Sequence, residues 1–171
     1  TSADGVYWVG YAREDAIGKG LCKPLLWTDG GAQELPLPDL NYRNEEIWYG
    51  VMARGISANG EIIYGTSWEN WDFGMLYWVN NGANTEKPKW VGEDVREVWE
   101  ETMKMSDGTE YTTHLVNGLI CQAQLTKISP NGKWIASSYR TETPAEDRLS
   151  IVTTQTAAFY NTETETTTIV S

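Results

Sequence analysis

One short phrase is written three times along this chain: Ser2-Ala3-Asp4-Gly5-Val6-Tyr7-Trp8-Val9-Gly10, Ser57-Ala58-Asn59-Gly60-Glu61-Ile62-Ile63-Tyr64-Gly65, and Ser129-Pro130-Asn131-Gly132-Lys133-Trp134-Ile135-Ala136-Ser137. Recurrence of this kind points to an array of like units. The Asp-Gly and Asn-Gly pairs tolerate positive φ, which predicts a two-residue type I′ hairpin turn at each copy. After the turn, Val6-Tyr7-Trp8-Val9, Ile62-Ile63-Tyr64 and Trp134-Ile135-Ala136 are apolar on consecutive positions. Such strands have no wet side, so both of their faces are expected to be buried.

The likeness extends downstream. Lys23-Pro24-Leu25-Leu26-Trp27-Thr28-Asp29-Gly30, Gly74-Met75-Leu76-Tyr77-Trp78-Val79-Asn80-Asn81-Gly82 and Ala157-Ala158-Phe159-Tyr160-Asn161-Thr162 each place aromatics just ahead of a polar turn. A closing strand follows in each unit, at Gln33–Leu37, Pro88–Val91 and Thr166–Val170. With Val51–Ile56 and Gln124–Ile128 ahead of the second and third turns, the count reaches four strands per unit. Four antiparallel strands with buried middle strands are the pattern of a β-propeller blade. Three independent hairpins in a β-sandwich are the competing architecture.

The run Ile128-Ser129-Pro130-Asn131-Gly132-Lys133-Trp134-Ile135-Ala136 resembles the propeller repeats of TolB-like periplasmic proteins and of prolyl-oligopeptidase-type enzymes. Ala53-Arg54-Gly55-Ile56-Ser57-Ala58-Asn59-Gly60 through Tyr77-Trp78 is similar to the HAF-type extracellular repeat. These resemblances imply an all-β fold: one β-propeller segment over residues 1–171, with about three four-stranded antiparallel blades forming an incomplete ring or a fragment. Blade one is expected over 2–40, blade two over 50–92, an insertion over 93–120 and blade three over 121–171. The resemblance also implies an extracellular, cell-surface or periplasmic location. Propellers usually need at least four blades, and the sequence starts at a turn with no strand before it. The expectation is therefore a ring completed by the rest of a longer polypeptide or by a second copy in a homodimer. The turn glycines are spaced by 55 and 72 residues, wider than the roughly 40 to 50 of common propeller repeats, as insertions would make them.

A net charge of −11, from 13 Lys and Arg against 24 Asp and Glu, disfavours binding to nucleic acid or to anionic membrane surfaces. No apolar run approaches the length of a membrane span. Cys22 and Cys121 stand far apart in no Cys-x-x-Cys pattern, which fits two isolated thiols better than a metal or redox pair, while a single disulfide in an exported protein stays open. His114 is the one histidine. With no HExxH and no Gly-x-Ser-x-Gly elbow, neither a zinc site nor a Ser-His-Asp triad is supported. No cofactor is expected, and no catalytic residue is assigned.

The loop Ser67-Trp68-Glu69-Asn70-Trp71-Asp72-Phe73 holds three aromatics and two acids in seven residues. Tryptophan faces beside acids suit the apolar side of a pyranose and its hydroxyls, which makes Trp68, Glu69, Trp71 and Asp72 the candidate ligand-binding residues. Glu69 and Asp72 also form the candidate carboxylate pair for glycoside hydrolysis. Packing of Trp68 and Trp71 between blades explains the same residues without a ligand. Residues 95–118 read as a long hairpin about Ser106-Asp107-Gly108, projecting as a solvated arm, with a helix over 94–105 as the alternative. Residues 138–148 read as an exposed polar connection. The functional expectation is a non-enzymatic module binding a carbohydrate or protein ligand. The alternatives are the propeller part of a larger peptidase or glycosidase and a purely structural self-associating module.

Overall fold

The computed structural model describes residues 1–13, 22–38, 50–69, 72–120 and 125–170. The chain is all-β and forms three antiparallel sheets. The first contains β1 (Trp8–Arg13), β2 (Cys22–Thr28) and β3 (Gly31–Glu34) in sequential order. The second contains β4 (Val51–Ile56), β5 (Ile62–Glu69), β6 (Asp72–Val79) and β7 (Lys89–Trp90), again in order. The third is larger. It is built from β8 (Glu97–Lys104), β9 (Glu110–Ile120), β10 (Lys127–Ile128), β11 (Trp134–Pro144), β12 (Ile151–Asn161) and β13 (Thr166–Ile169). Its order is β13-β12-β11-β9-β8, with β10 beside β9 on the same edge of β11. The strand counts are thus three, four and six, where four per unit had been expected.

The sheets pack face to face, with the second in the middle. Its Ile63, Leu76 and Trp78 meet Leu26 and Leu35 of the first unit, with Tyr7 and Val9 packed alongside. Its opposite face, with Ile62, Tyr64, Met75 and Tyr77, meets Leu119, Ile135, Ala158 and Tyr160 of the third sheet. The consecutive apolar residues of β5 therefore serve two cores, one on each side of the strand, as the sequence pattern requires. Each large side chain taken fully out of water at these interfaces contributes roughly 1.5–3 kcal/mol.

The three turns share one hydrogen-bond pattern, and it is not the type I′ turn expected. The positive φ falls on the glycines alone, Gly5 at 73°, Gly60 at 78° and Gly132 at 73°, and Asp4, Asn59 and Asn131 stay out of that region. The glycine N–H donates to the serine carbonyl three residues back, at 3.1, 2.9 and 2.9 Å. This makes a longer loop, a four-residue turn ending in a left-handed glycine. The reason lies in the side chains. Each serine hydroxyl donates to the Asx carboxylate or amide oxygen at 2.5, 2.6 and 2.8 Å, and accepts from the N–H of Tyr7, Ile62 or Trp134 at 3.0, 3.0 and 2.9 Å. The Asx oxygen in turn accepts the N–H two residues on, from Val6, Glu61 or Lys133. An Asx-turn leaves the Asx backbone in its ordinary conformation and hands the strained position to glycine.

Residues 138–144 are a second correction, since they continue β11 as strand and are not a loose connection. Threonine and tyrosine suit a strand here, and both edges are paired: Tyr139 faces Thr156 on β12 and Leu119 on β9. The 95–118 segment is the expected hairpin, with Thr109 N–H donating to Asp107 and Gly108 at φ 86°, so the helical alternative falls. One side of it is solvated, but Met103 and Leu115 are fully buried, so it is a packed part of the third sheet. The β11–β12 hairpin clamps it, through Lys104 N–H to the Arg148 carbonyl and an Arg148–Glu101 ion pair at 2.7 Å.

Candidate functional site

Three turns of one kind lie side by side. The Ala3 N–H donates to the Ala58 carbonyl at 2.9 Å, and the Asn59 N–H to the Pro130 carbonyl at 3.0 Å. In an antiparallel meander this fixes the other end as well. The tips of the β5–β6, β8–β9 and β11–β12 hairpins lie toward the end of the sheets opposite these turns; the last two reuse part of the bonding without the serine, with Gly108 N–H on the Met105 carbonyl and Arg148 N–H on the Ala145 carbonyl.

The candidate residues fall at that end. The β5–β6 pairing runs out to Trp68 opposite Phe73 and Glu69 opposite Asp72, the last pair of the hairpin. Trp71 lies outside the described residues, and for Trp68, Glu69 and Asp72 the structure fixes the backbone position. Ser67 stands directly before them on β5. It is fully buried, and its hydroxyl is one of three buried side-chain atoms without a hydrogen-bond partner among the described residues. An unsatisfied buried hydroxyl costs about 1–3 kcal/mol.

A cleft absent from the sequence reading opens between the second and third sheets. Its volume is about 420 Å³, and Lys89, Trp90, Glu93, Tyr160 and Glu165 line it. Lys89 and Glu165 form an ion pair, and the hydrogen bond to Glu165 pushes the lysine's pKa up. Burial pushes the Tyr160 phenol far above its ordinary range, with Tyr77 and the carboxylates of Glu165 and Asp94 adding to it. Tyr77 is pushed up by burial too, its ring 5.9 Å from that of Tyr160. At neutral pH the cleft therefore presents the neutral Tyr160 phenol, the Lys89–Glu165 ion pair and Glu93, with the buried Tyr77 ring behind Tyr160. Of the groups that line it, Lys89 and Glu165 satisfy each other. Nearby, Asp94 accepts from the Thr167 N–H and hydroxyl at 2.6 and 2.7 Å. This set ties the second sheet to the third.

His114 sits exposed on β9, opposite Glu100 in register and 3.6 Å from its carboxylate. Cys22 is a free thiol; Cys121 lies outside the described residues. Among the described residues no three His, Cys, Asp or Glu side chains gather as metal ligands do, and no helix is long and apolar enough to cross a membrane. Comparison with known proteins returns no matching family model, no matching curated protein and no matching solved structure.

Proposed function

We propose that the chain is a β-propeller segment of an exported or cell-surface protein, similar in its repeats to TolB-like and HAF-type proteins, and that it works by binding. The observation that carries this reading is the side-by-side array of identical Ser-x-Asx-Gly turns. One end of the molecule carries three Ser-x-Asx-Gly turns side by side, and among the described residues the other carries hairpin tips that differ in length and sequence. A rigid scaffold with variable loops at one end is how binding sites are commonly mounted. The ligand assigned to that end is a carbohydrate, stacked on Trp68 and Trp71 with Glu69 and Asp72 meeting its hydroxyls.

Glycan-array binding by the wild-type chain tests the reading. Signal is expected on a defined set of glycans and is expected to fall at least tenfold in Trp68→Ala and Trp71→Ala. Absence of any signal, or signal unchanged by both substitutions, refutes the carbohydrate site.

A further inference from the structure

The register of the three units shows that each has a forward and a backward face. Six residues after the turn serine stand Trp8, Ile63 and Ile135, and these positions look backward: Ile63 packs onto the first unit and Ile135 onto the second. Leu26, Tyr77 and Phe159, which pair with Val9, Tyr64 and Ala136, occupy the forward position. Exposure at these equivalent positions separates the inner units from the end ones. Ile63 and Ile135 are 0% exposed and Trp8 is 58% exposed, while Leu26 and Tyr77 are 0% and 1% exposed and Phe159 is 41% exposed.

The turn glycines repeat the division. A Cβ on Gly60 would lie 2.8 Å from the Tyr7 ring, and one on Gly132 would lie 2.6 Å from Ile62 Cγ1. Each inner turn is thus wedged onto the residue five after the serine of the preceding unit. Gly5 has nothing within 4 Å, and Trp134, the residue five after the third serine, is exposed. The forward face of unit three carries a groove of about 430 Å³ lined by Leu125, Ala136, Ala157 and Phe159 among others. The backward face of unit one carries Trp8 and, paired with it, Trp27.

We propose that these two faces dock on one another between two copies of this chain: the turn of unit one, with Gly5 and Trp8, seats on Trp134 and Phe159 of a second copy. This rests on the stacked-unit reading above, and the occupant follows from continuity with it. The missing neighbour at one end has the chemistry of the unit present at the other, and the contact is the one already made twice within the chain. The faces differ, so the contact is head to tail; two copies that close on each other cover all four open faces in a two-fold ring.

Light scattering and native mass spectrometry of the wild-type chain, Trp8→Lys, Trp134→Lys and their equimolar mixture test it. The wild type is expected at twice the chain mass. Each variant alone lacks one of the two complementary faces and is expected to associate at least about thirtyfold more weakly, as for a hot-spot tryptophan. The mixture is expected to recover a dimer through its one intact forward and one intact backward face. Phe159→Lys repeats the Trp134 result from a residue outside the turn, and unchanged near-ultraviolet circular dichroism confirms that each variant is folded. A monomeric wild type, a single variant that still dimerises, or a mixture that stays monomeric overturns the proposal. Hydrogen exchange separates this from failure of the stacking itself: protected Ala3 and Asn59 amides, which bond across the units, in a monomer sink the second-copy contact alone, whereas rapid exchange at both sinks the stacked units as well.

Discussion

Ser57→Ala is the sharpest test of why the repeated turn holds. The Ser57 hydroxyl donates to Asn59 Oδ1 at 2.6 Å and accepts from Ile62 N–H at 3.0 Å. Alanine removes both bonds, but the two partners fare differently. Asn59 Oδ1 keeps the Glu61 N–H at 3.2 Å, whereas the Ile62 N–H loses its acceptor inside a buried environment. Leaving such a donor unpaired costs about 1–3 kcal/mol, against about 1 kcal/mol for an ordinary exchange with water. The expected loss is about 2 kcal/mol, or a drop in Tm of about 4–8 °C for a chain of this size. Ser129 supplies the control, because it makes the same bonds to Asn131 and to the exposed Trp134 N–H. Water replaces the hydroxyl there, and Ser129→Ala is expected to cost under about 1 kcal/mol. Ser2 lies between the two, buried itself but bonded to a partly exposed Tyr7 amide. Urea unfolding of the three variants, in dilute solution where no second copy covers unit three, gives the comparison. Equal losses at Ser57 and Ser129, or a Ser57 loss below about 1 kcal/mol, would refute desolvation as the deciding term.

Three further outcomes are expected. Gly132→Ala meets both a left-handed backbone, at φ 73°, and Ile62 Cγ1 at 2.6 Å. In thermal melts of dilute protein it is expected to cost more than Gly5→Ala, which meets the same backbone conformation and open space and loses about 1–2 kcal/mol; equal losses would deny the wedge between units. The Ser2 hydroxyl and Val6 N–H hold the Asp4 carboxyl below its ordinary value. A carboxyl held low stabilises the fold above its unfolded value and loses that contribution as pH falls through its folded one. Tm is therefore expected to fall less steeply below about pH 4 in Asp4→Asn, which restores the residue type of the other two turns, and identical acid limbs would contradict the assignment. Ser67→Ala removes a buried hydroxyl that has no partner among the described residues, so its Tm is expected to stay level or to rise. A clear fall would show that the hydroxyl is satisfied after all.

What could be read from the residues followed from how far apart the interacting groups stand. The turn chemistry was legible because Ser57, Asn59, Gly60 and Ile62 satisfy one another within six residues, although the side-chain bonding confines the positive φ to the glycine. The β8–β9 hairpin was legible for the same reason, its Ser106-Asp107-Gly108 turn standing between two alternating strands. The strand at 138–144 was not, since its polar residues are ordered by partners far along the chain: Gly118–Ile120 on one edge, and Glu142, which accepts the Val116 N–H at 2.9 Å. The cleft was hidden likewise, because Lys89 and Glu165 stand 76 residues apart. The carbohydrate candidates were placed by register alone, at the end of β5 and the start of β6.

Exposed aromatic residues are ordinary on protein surfaces when they are scattered singly, so Trp8, Trp134 and Phe159 would mean little as individuals. Their meaning comes from their positions, which are those of buried residues in the neighbouring units. An array of repeats that ends in water carries polar residues on its outermost faces, because stacking stops there while the demand for burial does not. These two end faces keep the inner composition. Where the second unit buries Trp78 over Gly65, with a Cβ there 2.9 Å from the ring, the first unit lays Trp27 over Gly10 at 3.1 Å, the same contact built on the open side. The third unit keeps aromatics at both forward positions where polar residues would serve a free surface. The ends of these three units have the chemistry of interiors, and under the proposed contact a second copy would give them the cover that the chain gives its own middle sheet.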